Sequence, residues 1–120
     1  MSYFDKVYKI TNCIPDGRVS TYGAIADYLS LGSARMVGWA LNKCHNAEKP
    51  VAAHRVVNRI GELTGRNMFP HPDMMQQFLE NEGVSVTNNK VEDFDQIFWH
   101  PAELKKKNLN VYLIPFSMEY

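Results

Sequence analysis

The stretch from Ser20 to Leu41 constrains the fold most. Tyr22, Ile25, Ala26 and Leu29 recur at the i, i+3, i+4, i+7 spacing that gathers apolar side chains on one helix face. Ser20 and Thr21, just before them, offer hydroxyl oxygens that can accept the free N–H groups of a first helical turn. Leu31-Gly32-Ser33 breaks the pattern. It resumes near Ala34, with Met36, Val37, Ala40 and Leu41 as a second stripe. Two short helices around a glycine-containing turn fit two architectures. One is a plain helical hairpin. The other is a helix-turn-helix, whose second helix enters a DNA groove. Spacing alone leaves both open.

The flanking sequence supplies the remaining elements. Residues 2–12 predict a first helix, with Phe4, Val7 and Tyr8 on one side and a capping box suggested by Ser2 and Asp5. Pro15-Asp16-Gly17 is a turn, and Val19 leaves it as a short strand. Residues 42–50 form a polar loop. Val56-Val57 begins a strand, Asn58-Arg59-Ile60-Gly61 turns, and Glu62-Leu63 starts the return, giving a small hairpin. After a loop over residues 64–72, Pro72 and Asp73 suit the start of a helix carrying Met74, Met75, Phe78 and Leu79 on its apolar face. Gly83 ends that helix as a left-handed cap. Val84-Ser85-Val86 alternates like a strand and Asn88-Asn89 reads as a turn. Phe94, Ile97, Phe98 and Trp99 form an aromatic-rich segment covering the core, and residues 110–116 offer an edge strand. A helix-turn-helix followed by a small hairpin would be a winged helix.

At 120 residues, with 45% hydrophobic and 22% charged residues, the chain suits one compact soluble domain. No apolar run approaches the roughly 20 residues of a membrane span, and the N-terminus lacks the pattern of a signal peptide. Cys13 and Cys44 make no disulfide framework and are expected reduced, in a cytoplasmic setting. They offer no paired spacing for a structural zinc, so no metal or cofactor is expected. Net charge is zero, which argues against nucleic acid. Yet residues 18–66 hold seven basic residues (Arg18, Arg35, Lys43, Lys49, Arg55, Arg59, Arg66) against three acidic ones (Asp27, Glu48, Glu62), a balance of +4. That asymmetry fits either a solvated surface or one positive face toward DNA.

Several motifs then fall in one order. Ile14-Pro15-Asp16-Gly17-Arg18-Val19-Ser20-Thr21-Tyr22-Gly23-Ala24-Ile25-Ala26 is followed by Ala34-Arg35-Met36-Val37-Gly38-Trp39-Ala40-Leu41. His54-Arg55-Val56-Val57, Gly61-Glu62-Leu63 and Glu82-Gly83 come after them. Together they resemble the O6-alkylguanine-DNA alkyltransferases, whose active site reads Pro-Cys-His-Arg-Val. The position of the reactive cysteine looks like Ala53 here, and that of the preceding proline like Ala52. Without that cysteine the chain is most similar to the alkyltransferase-like proteins, in which tryptophan commonly stands at this position.

The resemblance implies an α+β fold: a winged-helix DNA-binding domain over residues 1–100, with residues 101–120 as an extension packed on it or trailing from it. It implies no catalysis. The protein would bind duplex DNA containing alkylated guanine through the minor groove, flip the base, and mark it for nucleotide-excision-repair proteins. A monomer suffices for a single lesion, located with the nucleoid or in the nucleus. DNA contacts would come from Tyr22, Ser33, Ala34, Arg35, Gly38 and Arg59. Arg35 would fill the gap left by the base, and Tyr22 would crowd the target phosphate. The lesion pocket would involve Ala53, Val56 and Arg66. With Ala53 lacking bulk, larger alkyl groups would be tolerated. His54 and Glu82 would remain as structural remnants of the network that activates cysteine elsewhere, and Arg55 as a structural hydrogen-bonder. The residues alone also permit blander roles: a surface arginine at Arg35 and core packing at Tyr22. A winged-helix regulator without lesion specificity is the alternative function.

Overall fold

A computed structural model describes residues 2–104. The first helix, α1 (Tyr3–Thr11), is capped by Ser2, whose hydroxyl accepts the Asp5 N–H at 3.3 Å. After the Pro15–Gly17 turn, where Gly17 takes φ +81°, β1 (Ser20–Thr21) runs directly into α2 (Tyr22–Tyr28). The Thr21 hydroxyl caps α2 by accepting the Ala24 N–H at 3.0 Å. The next helix, α3 (Ala34–Asn42), packs across both α1 and α2. It buries Val37, Ala40 and Leu41 against Val7, Ile14, Ile25 and Ala26. The Tyr8 hydroxyl fastens α1 to α3 by donating to the Ala40 carbonyl at 2.7 Å.

The turn between α2 and α3 comes earlier than the expected break at Leu31-Gly32-Ser33. Ser30 is the left-handed residue, with φ +57°. The Ser30 N–H returns to the Asp27 carbonyl and the Leu31 N–H to the Ala26 carbonyl at 2.9 Å. This pair of bonds satisfies the last carbonyls of α2 and swings Leu31 back onto the core. A non-glycine residue tolerates the strained φ because both bonds and the Leu31 contact hold it there.

The β structure is divided. The strand β2 (Val56–Val57) pairs in parallel with β1, matching Ser20 to Val56 and Thr21 to Val57. The expected reversal at residues 58–61 forms. The Asn58 side chain accepts the Ile60 and Glu62 N–H groups at 3.1 and 2.8 Å, and Gly61 adopts φ +90°. The return residues pair elsewhere: Glu62 bridges Lys90, and the Leu63 N–H donates to Asn89 at 2.8 Å. The regular antiparallel hairpin is β3 (Val86–Thr87) and β4 (Lys90–Val91). Asn88 and Asn89, both with positive φ, turn it as a two-residue hairpin loop requires.

One helix starts later than its sequence signals. Pro72 lies in a preceding turn, and α4 (Met74–Asn81) begins after Asp73, whose side chain makes no cap bond. Met75 and Leu79 enter a second cluster with Val19, Val57, Leu63, Val84 and Val91. The short α5 (Phe94–Ile97) precedes Trp99, which is buried in the first cluster. The Trp99 N–H donates to the Val19 carbonyl at 2.7 Å, so the aromatic segment closes over β1 as expected. The expected strand at residues 110–116 lies outside the described residues.

Gly83 ends α4 with φ +90°; its N–H reaches Glu80 and the Val84 N–H reaches Leu79. A Cβ there would meet nothing within 4 Å. Gly83→Ala is therefore expected to cost only the left-handed strain, about 1 kcal/mol, read from urea unfolding with an unchanged m-value.

Candidate nucleic-acid interface

An open cleft of about 480 Å³ runs along the outer face of α3. One wall is α3 itself, presenting Ala34, Arg35, Gly38, Trp39 and Asn42. Tyr22, Thr64, Gly65 and Met68 form the other. The spacing explains the first wall: these residues occupy the helix face opposite the Val37–Leu41 stripe.

Arg35 stands exposed in the first turn of α3 and has no hydrogen bond or ion pair with any described residue. Ser33 flanks the helix without a side-chain cap bond, leaving the first N–H groups of α3 unspent by it. Gly38 is unexplained by the fold, because a Cβ there would meet nothing within 4 Å. Glycine inside a helix costs about 1 kcal/mol relative to alanine. Its return is a smooth cleft wall that another molecule can approach closely.

Across the cleft, burial pushes the Tyr22 hydroxyl above its ordinary range, and a hydrogen bond with Thr64 partly offsets this. The hydroxyl stays neutral at physiological pH, able to donate and accept. Gly65 packs close beside it: a Cβ would lie 2.5 Å from the Met68 methyl and 2.9 Å from the Tyr22 oxygen, so one of these side chains would have to shift.

The expected pocket residues do not line this cleft. Ala53 is 2% exposed and Val56 fully buried, both within the first core cluster. The short 3₁₀ turn Ala53–Arg55, which leads into β2, turns the Ala53 methyl inward. Arg66 begins another 3₁₀ turn, half-buried, donating to the Leu63 carbonyl at 3.3 Å. Arg59 sits exposed on the 58–61 reversal, free of ion pairs with described residues and apart from the cleft. Of the residues expected to meet DNA, Tyr22, Ala34, Arg35 and Gly38 line this cleft, together with Trp39, Asn42, Thr64, Gly65 and Met68. Trp39 carried a legible signal, as an aromatic outside the apolar stripe.

Behind the cleft, Glu82 at the end of α4 joins three segments. Its Oε1 accepts the Gly17 N–H at 3.1 Å and the Arg55 Nε at 3.0 Å. Its Oε2 lies 2.6 Å from the His54 Nε2 and 2.8 Å from the Arg55 Nη2. Arg55 also donates to the Ile14 carbonyl at 2.8 Å and to Asp16 at 3.1 Å. Burial pushes the Glu82 carboxyl up, but the hydrogen bonds from Arg55, His54 and Gly17 outweigh it and bring it down to about 2. An ionised carboxylate only accepts, so His54 Nε2 carries the hydrogen they share.

Residues 2–84 match the family model of the 6-O-methylguanine DNA methyltransferase DNA-binding domain. Alkyltransferase-like protein 1 of Schizosaccharomyces pombe is 35% identical over 104 residues, spanning 82% of this chain and 95% of that protein. The chain belongs to the alkyltransferase-like family. A DNA base-flipping protein of Escherichia coli is also 35% identical over 102 residues, covering 82% of this chain and 75% of its own. The crystal structure of S. pombe Atl1 in complex with damaged DNA containing O6-carboxymethylguanine superposes with a TM-score of 0.70. It covers 82% of this chain and 95% of that one, at 35% identity. The winged-helix α+β fold is thus the family's DNA-binding domain, and α2 and α3 are its helix-turn-helix.

The Glu82 network sets a pH dependence. A carboxyl held near 2 against 4.5 unperturbed stabilises the fold above about pH 4.5, by on the order of 3 kcal/mol, and loses this as pH falls toward 2. Glu82→Gln is expected to lose about that much at neutral pH and to flatten acid unfolding between pH 5 and 2. A loss under about 1 kcal/mol with an unchanged acid profile would contradict this.

Proposed function

We propose that this protein binds O6-alkylguanine in duplex DNA by rotating the base out of the stack toward a pocket at Ala53, Val56 and Arg66, without alkyl transfer, and marks it for nucleotide excision repair. The observation that carries the reading is an open cleft along α3 with Arg35 exposed at its edge and unpaired among the described residues. A base must leave the stack before its O6 atom can be inspected, at a cost of a few kcal/mol that is lower for a badly paired lesion. The planar Arg35 guanidinium can enter the vacated gap and hydrogen-bond the orphaned partner. Gly38 and Ala34 let α3 approach the duplex closely, and Tyr22 faces the cleft to crowd the rotating nucleotide. The N-terminus of α3 favours a phosphate nearby.

Alkyl transfer requires a thiolate or an equivalent nucleophile. A methyl group occupies that position here. Cys44 is no substitute: burial pushes its thiol up, only partly eased by a backbone hydrogen bond, which disfavours the thiolate. His54 and Glu82 then serve as structure, fixing the 3₁₀ turn at Ala53 against α4. The named relatives support the reading, since one is a base-flipping protein and another was crystallised on DNA carrying O6-carboxymethylguanine. Residues 1–100 would form the binding unit, acting as a monomer on the genome and handing the site to excision-repair proteins.

Titration with matched duplexes containing guanine or O6-methylguanine tests this. The lesion duplex should bind more tightly, and Arg35→Ala should weaken it by about tenfold or more, near 1.4 kcal/mol, and abolish most of the discrimination. Equal affinity of the unmutated chain for both duplexes would mark a DNA-binding module without lesion specificity.

A further inference from the structure

We propose that Trp39 is a duplex-anchoring residue whose indole packs against the sugar–phosphate wall of the groove that α3 enters, with or without a lesion. The inference rests on the DNA-binding part of the proposed function and needs no extruded base. Trp39 is 53% exposed, the most exposed of the large apolar side chains among the described residues. Its indole N–H has no hydrogen-bond partner and its ring no aromatic partner among them. Phe78, by contrast, is 37% exposed but sets its ring edge against His54 and Phe69. A tryptophan joins a large apolar face to one polar N–H edge. It therefore suits a partner that is apolar at one point and wet at the next, as a deoxyribose beside its phosphate is.

The surroundings of Trp39 select a polyanion as the partner. The residues beside it carry the cation of Arg35 and the neutral polar groups of Tyr22, Asn42 and Thr64, and no carboxylate. No acidic residue lies anywhere on α3. Ser33 makes no side-chain cap bond, so the first N–H groups of α3 stay open beside Arg35. Gly38 leaves the helix backbone open to close approach, since a Cβ there would meet nothing within 4 Å. A helix turns about 100° per residue. Trp39 therefore lies to the side of the Gly38 line of approach and faces a groove wall rather than the base edges. It follows Arg35 by four residues, about 6 Å along the axis, close to two base-pair steps of about 3.4 Å. Contacts to sugar and phosphate fix the position and orientation of a protein on the duplex and carry no sequence information. A neutral indole neutralises no phosphate, so its contribution is independent of counterion release.

Titration of the full chain with matched duplexes carrying guanine or O6-methylguanine, at several salt concentrations, tests this. Trp39→Ala should weaken both duplexes about tenfold and leave the ratio between them unchanged. The slope of log affinity against log salt should also stay as it is in the unmutated chain. Trp39→Phe should recover part of the loss. The chain has two tryptophans, and Trp99 is 3% exposed, so the undamaged duplex should quench the emission of Trp39, and this quenching should vanish in Trp39→Phe. Unchanged affinity of Trp39→Ala for both duplexes would overturn the proposal and leave the indole to a protein partner or a second copy of the chain. Weakening confined to the O6-methylguanine duplex would overturn it too, by assigning the contact to the lesion. Equal affinity of the unmutated chain for guanine and O6-methylguanine is a separate failure. It would remove the lesion-binding reading, while a loss in Trp39→Ala on both duplexes would still uphold this one.

Discussion

The part-buried carboxylate of Glu82 is the interaction on which the rest of the structure depends. A charge removed from water is tolerated only when its lone pairs are filled. Here Oε1 accepts from Gly17 and Arg55, and Oε2 from His54 and Arg55. Those partners come from the turn before β1 and the 3₁₀ turn before β2. The carboxylate therefore fixes where the two parallel strands begin. β1 runs without a linker into α2, so the same anchor sets the height of Tyr22 over the cleft. Arg55 extends the network to the Ile14 carbonyl and Asp16.

That dependence explains how a DNA-binding domain can keep a histidine, an arginine and a glutamate while its chemistry changes. Position 53 holds alanine. With alanine there, their contribution is to hold the turn and the Ala53 methyl against Val56 and the first core cluster. The open cleft lies along α3 and the 64–68 segment.

Much of this was legible in the sequence because local chemistry decided it. The two stripes of α2 and α3, the Ser2 and Thr21 caps, the Gly83 stop and the Asn88-Asn89 turn each follow from neighbouring residues. Tertiary contact decided the rest. Ser30 bends the chain because Leu31 is drawn onto the core, which no local signal at Gly32 could announce. Glu62 bridges Lys90, 28 positions away, so the reversal at Asn58 looked like one hairpin while its return strand belonged with another. The burial of Ala53 and Val56 in the first core cluster depends on what packs behind them, which motif order does not announce. The far cleft wall, with Thr64, Gly65 and Met68, lies in a segment of no periodicity. Only the close approach of Tyr22 and Met68 gives Gly65 its meaning.

The central claim is recognition without reaction. Its most direct test is to incubate the protein in excess with a duplex containing O6-methylguanine, at concentrations where the complex is saturated. The intact mass of the protein and the base composition of the recovered DNA are then measured. The account predicts an unmodified protein and full recovery of O6-methylguanine. Protein gaining one methyl group, with guanine restored in the DNA, would contradict it.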